Sequence, residues 1–167
     1  MTEESVSIEF RTLDYRDVAE VRAFLELLFA ISADGDEFHF DKSPEFIDRA
    51  VIKARREEDE SNTFAGLALE RVPGGAKDRK RGIVGLHVLR RFEEGPLIGA
   101  HIAGLWVAEH RRRMGVALRL KAMGESWARG IGATFLNSNV LVNNERMLAL
   151  NRKLGFVDYR INLRKRL

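Results

Sequence analysis

Arg111, Arg112 and Arg113 run directly into Met114 and Gly115, and the chain then turns apolar at helical spacing through Val116, Leu120, Met123 and Trp127. The N-terminal end of a helix is the wrong place for cations, because the helix dipole is positive there. Arginines at that point indicate that an anion completes the charge balance. A helix start also presents unpaired backbone N–H groups, and Gly115 and Ala117 lack side chains that would keep an anion away from them. Hydrogen bonds to a charged acceptor are worth roughly 1.5–3 kcal/mol each, so three or four of them beside an arginine could hold a pyrophosphate. The competing reading is that Gly115 only relieves crowding and the arginines are solvated.

Other chemistry-bearing residues are more scattered. His39, His87, His101 and His110 show no metal-ligand spacing, so no metal is expected. The chain has no cysteine, which excludes disulfides, thiolate zinc sites and thiol catalysis. Asp34, Asp36, Glu37 and Asp41 surround Phe38 and Phe40 in one segment, a combination able to attract a cationic amine and pack on its carbon frame. A solvated acidic loop is the plainer reading. Asn137 and Asn139 are unusual inside a strand and could face a ligand, with capping and sheet-edge roles equally open.

The elements that must position these groups follow from periodicity. Residues 5–13 alternate as a strand, and Asp14 can cap a helix with Val18, Val21, Leu25 and Leu28 as its apolar stripe. Ser43-Pro44-Glu45 opens a second helix with Ile47, Ala50, Val51 and Ala54 inward. Residues 63–72 and 82–92 read as strands joined by a polar hairpin tip, and 99–107 as a fourth strand apolar enough to be central. The helix after Gly115 ends at Gly130 or Gly132. Residues 133–140 form a fifth strand, 143–155 a short helix, and 156–167 one or two final strands. The order β-α-α-β-β-β-α-β-α-β(-β) makes an α/β (α+β) chain, a mixed central sheet of six or seven strands with four helices on both faces. No repeat or linker interrupts it, so residues 1–167 are expected to be one domain.

An apolar content of 45% with 32% charged residues suits a globular chain, and a net charge of +3 permits polyanionic ligands without requiring them. The acidic start has no signal-peptide core and no segment approaches 18 uninterrupted apolar residues, so a cytoplasmic, non-membrane protein is expected. A nucleic-acid module could use Arg111–Arg113 and the terminal Arg-Lys-Arg-Leu, but acidic residues are numerous and base reading would not need a glycine motif. Residues 130–135 lack the third glycine of a dinucleotide fold, and no phosphate loop with Gly-Lys-Ser/Thr occurs. Gly-Glu-Ser-Trp-Ala at 124–128 matches a hydrolase elbow only loosely and lies mid-helix.

Two motifs go further. Arg112-Arg113-Met114-Gly115-Val116-Ala117 fits Arg/Gln-x-x-Gly-x-Gly/Ala after a strand ending Leu105-Trp106-Val107, and it resembles the acetyl-CoA motif of the GNAT superfamily of N-acetyltransferases. About 30 residues on, Asn144, Leu150, Gly155 and Phe156 are similar to that superfamily's Asn-x-x-Ala-x-x-Leu-Tyr-x-x-x-Gly-Phe. The resemblance is carried by the motifs over residues 99–159 and by element order alone before that.

It implies a GNAT fold and acetyl-CoA as co-substrate, with the pyrophosphate on the N–H groups of residues 113–118 and Arg112, Arg113, Met114, Gly115, Val116, Ala117 and Leu118 around it. It implies that the pantetheine arm lies between splayed fourth and fifth strands, paired with backbone around Leu105, Trp106 and Val107, and that Asn144 and Asn151 border the cofactor. The acceptor would be a primary amine of a small molecule, with Asp36, Glu37, Phe38, Phe40 and Asn137 as candidate contacts. A protein or peptide amine, or acetyl-CoA binding by a regulator without turnover, are the alternatives. In this superfamily the base tends to lie on the fourth strand four or six residues before the position of Val107, which gives Ala103 or His101. His101 therefore becomes the candidate base, and a period of two would put it on one face with Leu105 and Val107. Asn151 stands where the family usually has tyrosine, the acid for the departing thiolate. Asparagine can donate a hydrogen bond but not a proton. Met147 for the small alanine implies different local packing. Homodimers are frequent in the superfamily, and nothing in the sequence locates an interface.

Overall fold

The computed structural model of the protein describes residues 7–35, 43–56, 62–71, 81–161, 163 and 165. By compactness the chain divides into two units, Met1–Asn137 and Ser138–Leu167. The first unit carries almost all of the sheet. Strand β1 (Ile8–Thr12) leads to helices α1 (Val18–Gly35) and α2 (Pro44–Arg56), followed by β2 (Thr63–Arg71), β3 (Arg81–Glu94) and β4 (Leu97–Val107). A single 3₁₀ turn (Glu109–Arg111) then precedes α3 (Val116–Gly130) and β5 (Phe135–Ser138). The strands lie in the order β1-β2-β3-β4-β5, with each of the first three pairings antiparallel. The Thr134 N–H bonds Ile98 O at 2.9 Å, so β5 starts beside the start of β4 and runs parallel to it after the α3 crossover.

The helix starts show how local chemistry selects boundaries. The Phe46 N–H bonds Ser43 Oγ at 3.2 Å, so the Ser-Pro-Glu signal opens α2 as its residues predict. For α1 the cap is Asp17 rather than Asp14. Asp17 Oδ1 accepts from the N–H groups of Ala19 and Glu20, both at 3.0 Å. Asp14 closes a turn on the Arg16 N–H instead, which places three more residues ahead of the helix.

Apolar side chains bury on both faces of the sheet. Val21, Phe24 and Leu25 of α1 and Ile47 and Val51 of α2 pack with Leu67, Leu69, Leu86 and Val88. On the opposite face Val116 and Leu120 of α3 pack with Ala68 and Val84, and Ala128 with Phe64, Leu89 and Ala100. Gly124 lets α3 approach closely, since a Cβ there would lie 2.7 Å from the Leu89 side chain and 2.9 Å from that of His87.

The β3–β4 ladder contains one irregularity that matters for the site. Val88 pairs with Gly104 and Leu89 with Ile102, so Ala103 is an extra residue, a β-bulge on β4.

The second unit holds α4 (Glu145–Lys153), capped by Asn144, whose side chain accepts from the Met147 N–H at 3.2 Å. Among the described residues the final strands expected beyond residue 155 are not present, and the sheet there has five strands where six or seven are expected. Val157, Tyr159, Ile161 and Leu163 alternate as a strand should, yet all four are exposed. Alternation produces a strand only where a neighbour supplies ladder partners, and no described strand pairs with this segment.

Candidate active site

Each of the three arginines is placed differently. Arg111 forks onto Glu70 at the end of β2, with Nε 2.9 Å from Oε2 and its terminal nitrogen on Oε1, and His110 Nε2 lies 3.1 Å from the same Oε2. Arg111, and after it His110, hold the Glu70 carboxyl down to about 2. Arg112 Nε donates to Val107 O at 3.1 Å, folding the chain back on the end of β4. Arg113 is exposed and has φ 63°, the left-handed region, as has Gly115 at 79°. Arg111 and Arg112 thus build the turn, and Arg113 borders it.

Gly115 is the N-cap of α3 and no side chain caps the helix. The first helical acceptor, Gly115 O, is taken by the Arg119 N–H at 3.0 Å, so the N–H groups of Val116, Ala117 and Leu118 lie ahead of the helix ladder. A Cβ built on Gly115 would meet nothing within 4 Å, so the space over these donors is open. Met114 and Leu118 are exposed beside it. This geometry fits a phosphate-bearing ligand: several convergent N–H donors, an adjacent guanidinium and open approach.

Above the turn, the edge of β4 is shaped by its pairing. The Ala108 N–H bonds Val84 O at 2.8 Å, and antiparallel ladders alternate, so the peptide groups of Trp106 face β3 while those of Leu105 and Val107 face away from it. Strand β5 has four residues and starts beside Ile98, so it covers only the first part of β4. The later part, including Leu105 and Val107, extends past β5 and offers an edge that an extended amide chain can pair with. The Trp106 side chain packs into the core instead.

The bulge at Ala103 changes the face on which His101 lies. Across β3, His101 pairs with Arg90 and Gly104 with Val88, which puts His101 on the face of Gly104 and Trp106, toward α1, and not on that of Leu105 and Val107. Strict alternation over 101, 103, 105 and 107 fails because the extra residue shifts the phase by one. Burial lowers the His101 pKa below its ordinary value of 6.5, and Arg90 lowers it further.

In the second unit Asn151 is buried, 5% exposed, and its Nδ2 donates to Ser138 Oγ at 3.2 Å. Its own carbonyl accepts from the Phe156 N–H at 3.0 Å, tying the helix to the Gly155-Phe156 turn. Asn144 serves α4 as its cap. Asn137 is half-buried on β5. Asp36, Glu37, Phe38 and Phe40 lie outside the described residues, as does His39. Among the described residues no group of three or more His, Asp or Glu side chains is placed to hold a metal ion. No helix among them is long and apolar enough to cross a membrane.

Sequence reasoning misses Glu70, His87 and Ser138. Glu70 and Arg111 are 41 positions apart with no pattern linking them, and only the sheet brings them together. His87 does carry a signal, a histidine at mid-strand among apolar neighbours. It is 1% exposed, and its Nδ1 lies 3.0 Å from Gly104 O.

A search of curated protein sequences finds no match. Among solved structures, glucosamine-6-phosphate N-acetyltransferase from Arabidopsis thaliana superposes with TM-score 0.66 at 15% identity, over 96% of this chain and 98% of that one. The aminoglycoside acetyltransferase AAC(6')-Iy, in complex with a bisubstrate analogue, gives 0.64 at 15% identity, over 96% and 99%. Ribosomal-protein-alanine N-acetyltransferase from Brucella melitensis gives 0.65 at 17%, over 96% and 100%. At these identities the likeness is one of fold. The model of the acetyltransferase (GNAT) family, however, matches residues 29–156, a stretch that contains the glycine turn, the bulged strand and α4 (Glu145–Lys153) with its Asn144 cap, and on that match the chain belongs to the GNAT acetyltransferases.

Proposed function

We propose that the protein transfers the acetyl group of acetyl-CoA to a primary amine of a small molecule, by direct attack within a ternary complex and with the whole chain acting as one domain. The observation that carries this reading is the turn at Gly115: left-handed, uncapped by any side chain, open above, and continuous with a β4 edge that extends past β5. When bound, acetyl-CoA supplies an acyl carbon activated as a thioester and a thiol leaving group whose pKa, by analogy with cysteine, is about 8.5.

The N–H groups of residues 113–118 hold the pyrophosphate, with Arg113 adding charge and Arg112 fixing the turn through Val107 O. Leu105 and Val107 pair by backbone with the pantetheine arm, which aims the thioester along β4. An alkylammonium with a pKa near 10.4 must lose a proton before it can attack. His101 accepts that proton, directly or through a water, and its lowered pKa keeps the ring neutral and ready at pH 7. Asn151, oriented by Ser138, donates a hydrogen bond to the departing sulfur where a tyrosine would give a proton. The acidic segment around Asp36, Glu37, Phe38 and Phe40, with Asn137, favours a cationic acceptor, in keeping with the amino-sugar and aminoglycoside enzymes among the structural neighbours.

The test is thiol release from acetyl-CoA against a panel of polyamines, amino sugars, aminoglycosides, amino acids and peptide N-termini. The reading expects saturable release with one class of small amine. Release with peptides alone would move the acceptor to proteins, and no release above hydrolysis with any amine would refute transfer.

A further inference from the structure

A histidine in the middle of a buried strand must have its polar atoms satisfied by the protein. His87 is 1% exposed, and its Nδ1 lies 3.0 Å from the carbonyl oxygen of Gly104 on β4. Burial, with Lys121 adding to it, pushes the His87 pKa down to about 4, so the ring is neutral at pH 7. A carbonyl can only accept, and Nδ1 therefore carries the proton. The ring has little room to swing. A Cβ on Gly124 of α3 would lie 2.9 Å from its Cδ2 and 3.0 Å from its Nε2, and the Phe64 ring meets it edge-on with centroids 6.2 Å apart.

Gly104 O is one end of a planar trans peptide whose other end is the Leu105 N–H, and the two point in opposite directions. Turning the carbonyl toward β3 and His87 therefore turns the Leu105 N–H toward the side of β4 that extends past β5. Ala103, the bulge residue, immediately precedes this peptide, and the ladder is locally interrupted there. We propose that His87 is a positioning residue: by donating Nδ1–H to Gly104 O it fixes the peptide plane whose Leu105 N–H meets the thioester oxygen, where negative charge develops during transfer. The inference rests on the acetyl-transfer reading above and assigns the donor to Leu105 and its orientation to a side chain on the neighbouring strand.

The experiment has a physical and a kinetic arm. In the wild-type protein, ring nitrogen shifts by NMR should show His87 neutral and protonated on Nδ1; protonation on Nε2 overturns the proposal whether or not the protein transfers acetyl groups. His87→Leu removes the donor, while His87→Asn returns an N–H at a comparable position. The leucine variant should lose roughly 10–100-fold in kcat with KM for acetyl-CoA within about threefold of wild type, and the asparagine variant should recover most of that loss. The Leu105 amide signal should move in the first variant and return toward its wild-type position in the second. Lowered Tm in both variants, with kcat and the Leu105 signal unchanged in the leucine variant, would show a packing role alone and overturn the proposal. Should the leucine variant not fold, the wild-type tautomer and near wild-type kcat of His87→Asn support the proposal, and the opposite of either overturns it. Wild-type protein that releases no thiol with any amine would count against the function, while the tautomer and the amide shift would still decide the positioning.

Discussion

A histidine accepts a proton from an amine only if it is neutral at the working pH, and two causes secure this for His101: burial first, then the charge of Arg90 opposite it on β3. Both lower its pKa, so the acidic limb of kcat/KM should fall below pH 6.5, the ordinary histidine value. His101→Ala should lower kcat by about 10²–10⁴ and leave acetyl-CoA affinity nearly unchanged, because the ring acts on the acceptor. Arg90→Gln removes a charge that opposes protonation, so the acidic limb should shift slightly upward. Measurement of kcat/KM against pH for both variants checks these signs; near wild-type turnover of His101→Ala at every pH would shift the base to water or to a carboxylate. The family resemblance nominates His101 through its distance from Val107, but the face on which it lies is not legible in the sequence. The bulge at Ala103 arises from pairing with Val88 and Leu89; Gly104 in His-Ile-Ala-Gly-Leu is a general sign of a bulge, but it does not say which residue is the extra one.

Among the elements, the short 3₁₀ turn between β4 and α3 depends on a residue far away in the chain. Glu70 on β2 clamps Arg111 and His110, and its folded pKa of about 2 lies below the ordinary 4.5. A group whose pKa is depressed in the folded state stabilises fully above its unfolded value and loses that contribution as pH falls through its folded value. The clamp should therefore hold above about pH 4.5 and weaken progressively toward pH 2. Glu70→Gln should lower Tm at pH 7 and flatten its fall across that window, as thermal melts at a series of pH values would show. An equally steep fall in the variant would mean that other carboxylates govern acid unfolding. Elements with local signals were legible: Ser43 at the start of α2, the glycine turn before α3, and the Asn144 helix. The boundary at α1 slipped because Asp14 and Asp17 are both good caps, and only the turn closed by Asp14 decides between them. No final strand forms among the described residues because alternation at Val157, Tyr159, Ile161 and Leu163 reports side-chain spacing, not the partner that a strand needs.

For the whole molecule, the mixed sheet with helices on both faces follows from the alternation of elements and periodic apolar residues, while the spatial order of its strands comes from the structure; that is why the fold class was legible where the acceptor was not. If the protein binds acetyl-CoA only when folded, the ligand at about 100 times its Kd should add roughly 2.7 kcal/mol, or about 5–10 °C in Tm for a chain of this length. Duplex DNA should bind weakly and be lost between about 50 and 200 mM salt. Salt-resistant DNA binding without a thermal response to acetyl-CoA would reverse that assignment of partners. The central claim is that acetyl-CoA lies across the turn at Gly115, and calorimetric titration of acetyl-CoA into the wild type and into Gly115→Val, both confirmed folded by melting, addresses it directly. Valine fills the open space above the donors and strains a backbone position with φ 79°, so binding should weaken at least tenfold, about 1.4 kcal/mol. Unchanged affinity in the folded variant would place the anion elsewhere and contradict the account.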